Sequence, residues 1–106
     1  MSYQQQQDVC AEILERVTGI KPHRNGMGNP RVTLVGGYDL AMCPWNIREN
    51  TPDGEDFCVE HPGGSPSGHA MANTVKGAET SCREQIRRAA DQAQDIADGL
   101  FALAEA

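Results

Sequence analysis

Cys43, Cys58, His61 and His69 are the residues best suited to chemistry, because thiolates and imidazoles hold zinc and Cys58-x-x-His61 has knuckle spacing. Cys43 and His69 lie on flanking loop segments, so a zinc ion there would pin an otherwise irregular stretch. The spacing fits no standard finger and contains no paired Cys-x-x-Cys. The competing expectation is therefore buried thiols and exposed histidines, with no cofactor. The same loop offers two nucleophilic pairs for a small hydrolase, Cys58 with His61 and Ser67 with His69. Neither pair has an orienting carboxylate that the sequence assigns.

Pro66-Ser67-Gly68-His69 resembles the core motif of the type 2 phosphatidic acid phosphatase and vanadium haloperoxidase family. That family also needs an upstream Arg-Pro and a further downstream His, and the chain contains neither, so its activity does not carry over. Asn25-Gly26-Met27-Gly28 is short and lacks the preceding strand and following helix of a phosphate-binding fingerprint.

Charge is segregated along the chain. Arg16, Lys21, Arg24 and Arg31 fall in a stretch with no acid before Asp39, whereas Glu49, Asp53, Glu55, Asp56 and Glu60 fall in one with no base before Lys76. The formal charge of -6 disfavours direct binding to nucleic acid or an anionic membrane surface. Fixed carboxylates can instead compete with phosphates for the Lys and Arg of a nucleic-acid-binding partner. Glu49, Asp53, Glu55, Asp56 and Glu60 are accordingly the expected acidic partner-binding residues.

The elements that must position these residues belong to a small α+β fold. A chain of 106 residues with five aromatic side chains suggests one domain with a modest core of aliphatic residues, Met and Ala. Val9, Cys10, Ile13, Leu14 and Val17 recur at helical spacing, predicting an amphipathic helix over residues 4–18 that Gly19 stops. Two short β-prone runs separated by Gly36-Gly37 predict a hairpin over residues 31–42. Residues 43–68 read as a long irregular loop, in which Phe57-Cys58-Val59-Glu60 suggests a third strand. Residues 69–75 suggest a turn or two of helix.

Ser81 and Glu84 supply a capping box for a long amphipathic helix over residues 81–104. Along it Cys82, Ile86, Ala89, Ala93, Ile96, Leu100 and Leu103 alternate steps of four and three, the pattern of a seam. The expectation is that this seam covers the sheet and the first helix, with a homodimer as the alternative to a monomer. Arg83, Arg87 and Arg88 near its start and Asp91, Asp95 and Asp98 toward its end oppose the helix dipole, which marks the three arginines as partner-binding candidates. Arg87 is within reach of Asp91, and Gly99 is a point where the helix would bend or end.

No run approaches the roughly 18 apolar residues of a membrane span, and the first residues do not read as a secretion signal, so a cytoplasmic protein with reduced cysteines is expected. The functional expectation is a non-catalytic module that binds a protein partner. In general character it is like the small acidic phage or bacterial accessory proteins that inhibit a host nucleic-acid-binding complex, anti-CRISPR proteins among them. A zinc-stabilised module and a small hydrolase are the rivals.

Overall fold

The structure, a computed structural model, describes residues 2–44, 57–60 and 70–106. Helix α1 spans Tyr3–Thr18. Ser2 caps it reciprocally: its Oγ accepts from the Gln5 amide at 3.2 Å and its own amide donates to Gln5 Oε1 at 2.8 Å. Gly19 ends it at φ 73°, a left-handed conformation that glycine adopts without penalty from a Cβ.

Five antiparallel strands follow in sequential order across one sheet: β1 His23–Arg24, β2 Pro30–Thr33, β3 Asp39–Pro44, β4 Phe57–Glu60 and β5 Ala70–Ala72. The predicted hairpin is β2 and β3, registered by Val32 opposite Leu40. Its connection contains a 3-10 turn over Val35–Gly37, with Gly36 and Gly37 both left-handed, so the first run ends at Thr33 rather than Val35. The expected third strand is β4. Two strands depart from expectation. Residues 23–24, for which the sequence suggests no strand, pair with β2, and Ala70–Ala72, read as helical, pair with β4. Segments this short carry little conformational preference of their own, and pairing with a neighbour decides them.

Helix α2 spans Val75–Glu105 and so begins six residues before the predicted start. Thr74 is its cap, with Oγ1 accepting from the Gly77 amide at 2.9 Å; Ser81 lies inside the helix and the Ser81–Glu84 capping box does not form. The helix also runs through Gly99 without interruption.

Both helices lie against the sheet. Cys10, Ile13 and Leu14 of α1 and Ala78 and Cys82 of α2 meet Val32, Leu40, Met42, Phe57, Val59 and Ala72 in one core. Strand alternation selects these residues: Leu40 and Met42 of β3 face the helices with Phe57 and Val59 of β4, which sends Ala41, Cys43 and Cys58 to the other side. The molecule is elongated, 58 × 24 × 22 Å, because α2 outruns the layer beneath it.

Candidate functional site

Cys43 and Cys58 are directly opposite one another in the β3–β4 register. Burial pushes the Cys43 thiol up to about 12, helped by the neighbouring Cys58. The Cys58 thiol is also raised, again chiefly by burial. An activated nucleophile needs the opposite shift, toward the thiolate. His61, Ser67 and His69 lie outside the described residues, so the metal set is represented by its two thiols and the hydrolase pairs by Cys58 alone. Among the described residues no three His, Cys, Asp or Glu side chains are grouped to hold a metal ion.

The basic stretch of the sequence is largely neutralised within the molecule. Arg16 pairs with Glu79, tying α1 to α2, and Arg24 pairs with Asp8 at 2.8 Å. Arg31 lies 4.0 Å from Asp39 and 3.9 Å from Glu60. Glu60, expected to face a partner, is therefore engaged by β2. Glu49, Asp53, Glu55 and Asp56 lie outside the described residues.

Arg83, Arg87 and Arg88 are exposed on α2 and have no ion-pair partner among the described residues; Arg87 and Asp91 do not pair. The apparent conflict with the helix dipole also changes. With α2 starting at Val75, Arg83 is its ninth residue, beyond the first turn where the dipole acts most strongly. The three arginines thus sit at mid-helix, and nothing electrostatic there calls for a partner.

The feature that stands out instead is the distal half of α2. Ala78, Cys82, Gln85 and Ala89 are buried, at steps of four, three and four. The same face continues through Ala93, Ile96, Leu100 and Leu103, and there it emerges into solvent: Ile96 is 59%, Leu100 62%, Phe101 66% and Leu103 75% exposed. The expectation that the whole seam covers the sheet and α1 thus holds for its first half and fails for its second. From Ala90 to Glu105 only Ala97 is even partly covered, leaving an arm of 16 residues, about 24 Å at the helical rise.

At the root of this arm an apolar groove of about 410 Å³ runs between Val17, Ile20, Val35 and Tyr38 on one side and Ile86, Ala89 and Ala90 on the other. The opposite face of the arm carries Asp91, Asp95, Asp98 and Glu105, all exposed, and no Lys or Arg follows Arg88. The arm is apolar along one side and anionic along the other. The seam from Cys82 to Leu103 runs about 32 Å, whereas six residues of strand, the longest strand among the described residues, cover about 20 Å, so the helix overhangs the sheet.

Known protein families, curated proteins and solved structures contain no match to this chain. The reading of function therefore rests on the arm, its root groove and the cysteine pair. Among the described residues no helix is long and apolar enough to cross a membrane. The apolar stripe of α2 is one face of an amphipathic helix, with charged residues on the face behind it.

Proposed function

We propose that this chain is a non-catalytic protein-binding module whose binding element is the distal arm of α2. The observation that carries the reading is the stripe of Ile96, Leu100, Phe101 and Leu103, each more than half exposed on a helix that has left the body. Isolated apolar side chains are ordinary on a surface, but a contiguous stripe rimmed by charge is characteristic of a contact site. A helix laid along a partner would bury Ile96, Leu100 and Leu103 at once, with Phe101 at the edge of the contact. Catalysis has less support, since the buried Cys58 favours its neutral thiol.

The anionic outer face favours a finer reading. Asp91, Asp95, Asp98 and Glu105 line one side of a projecting rod, a pattern suited to a cationic surface that normally holds phosphates. This supports an inhibitor of a nucleic-acid-binding complex, like the phage-borne anti-CRISPR proteins in general character.

Affinity capture from the native host tests both levels, using the wild type, Leu100→Glu and the pair Asp91→Lys with Asp98→Lys. Loss of a captured partner in the first variant supports the apolar contact, and loss in the second supports the anionic one. A partner retained by every arm variant, with self-association also unchanged, overturns the reading.

A further inference from the structure

We propose that the apolar side of the arm is occupied by a second copy of this chain, the two α2 helices crossing antiparallel about a two-fold axis beside Ala97 and Gly99. The inference rests on the arm being the binding element and names its partner.

Steric room sets the direction. Up to Ala89 the seam face of α2 is covered by the chain's own sheet and α1. A parallel partner would bring its root, with its body attached, against this occupied face. An antiparallel partner brings only its tip, which meets the apolar groove at the root of the first arm.

Side-chain size then sets the register. With seam residues whose numbers sum to 196 facing each other, Ala93 meets Leu103 of the other copy and Ile96 meets its Leu100, and the symmetry repeats both contacts. Every exposed seam residue finds a partner, with one small residue in two of the four layers. Ala97 then faces its own copy on one flank and Gly99 on the other, so the helices can approach closely at the axis.

Charge permits the approach. Each arm carries four carboxylates and no base beyond Arg88, yet all four sit on the outer face. The seam flanks are Ala90, Ala97, Gln92 and Gly99, so no like charges are brought together. The seam side chains Ile96, Leu100 and Leu103 of one arm offer on the order of 300–350 Å² of exposed apolar surface, to which Ala93 and Ala97 add. Two such arms reach roughly 700–800 Å², and the groove contacts bring the interface toward the roughly 1,000 Å² lower limit of specific association. A concentration-dependent dimer follows, with Kd on the order of micromolar.

The test is sedimentation equilibrium of the full chain, with crosslinking to read the register. The wild type is expected to dimerise reversibly, and Leu100→Glu to remain monomeric with unchanged circular dichroism, its affinity reduced at least about 100-fold. Ala97→Cys is expected to form a disulfide-linked dimer under a mild disulfide-exchange oxidant, whereas Asp98→Cys on the outer face does not. A wild type that stays monomeric at about 100-fold above the expected Kd overturns the inference. If Leu100→Glu then still loses a captured host protein, the binding reading survives and only the second copy is excluded. A dimer that persists in Leu100→Glu, or that crosslinks equally through Asp98→Cys, overturns the pairing as drawn.

Discussion

Cys43 on β3 and Cys58 on β4 stand directly opposite each other across an antiparallel pair. Opposed residues in such a ladder have Cα atoms about 4.5–5.5 Å apart, within the range that a disulfide spans. Glutathione disulfide is expected to link these two, releasing two reduced glutathione molecules. Peptide mapping under non-reducing conditions checks this, and a dominant link involving Cys10 or Cys82 would contradict the register. Of the four thiols Cys43 is the only one not fully buried, so it should also alkylate first in the native protein.

Cys10 and Cys82 make the fold sensitive to alkali. Burial pushes both thiols from 9.0 up to about 12. Above pH 9 the unfolded chain releases these protons while the folded chain keeps them. Their contribution to stability is thus complete below about pH 9 and is lost as pH rises toward about 12. Each thiol should steepen the decline by about 1.4 kcal/mol per pH unit in that window. Denaturant titrations from pH 8 to 11 on the wild type and Cys10→Ala with Cys82→Ala measure it. The double variant should show the shallower slope, whatever its stability at neutral pH.

Gln7 and Gly28 lock the turn before β2 onto α1. Gln7 Nε2 donates to the Met27 carbonyl and to Asn29 Oδ1, each at 2.9 Å. Gly28 sits at φ 84°, and a Cβ there would come within 3.2 Å of the Gln7 amide. Gly28→Ala should cost about 1–2 kcal/mol through its left-handed backbone and this approach. Gln7→Leu should cost a similar amount by orphaning the Met27 carbonyl. Thermal unfolding reads both, and no change in either variant would show that the turn does not depend on Gln7.

Gly99 weakens the arm without breaking it. It lies in the interior of α2, and no atom would meet an added Cβ. In the monomeric Leu100→Glu background, Gly99→Ala should therefore stabilise the distal helix by about 1 kcal/mol. Slower amide exchange over residues 95–105 is the expected sign. Unchanged or faster exchange there would show that the glycine does not weaken the isolated helix.

Both helices, the hairpin and β4 were legible in the sequence because each rests on local information. Helical spacing from Val9 to Val17 specifies a buried face, and Gly19 terminates the helix through its own backbone freedom. Ala70–Ala72 was not legible, since three residues become a strand only when β4 supplies hydrogen-bond partners. The start of α2 was misplaced because Ser81 and Glu84 form a plausible cap, while Thr74 caps the helix in fact.

The candidate site divides in the same way. The sequence by itself determined that one side of α2 is apolar from Cys82 to Leu103, because that follows from residue type and the helical period. Only the tertiary structure decided how much of that side is core. Periodicity specifies the direction a face points but not how far the layer beneath it extends. Here the layer ends near Ala89, which turns the remainder of the seam into an exposed arm. Long-range pairing likewise decided the charges, consuming Arg16, Arg24, Arg31 and Glu60 inside the fold and leaving Asp91, Asp95 and Asp98 facing outward.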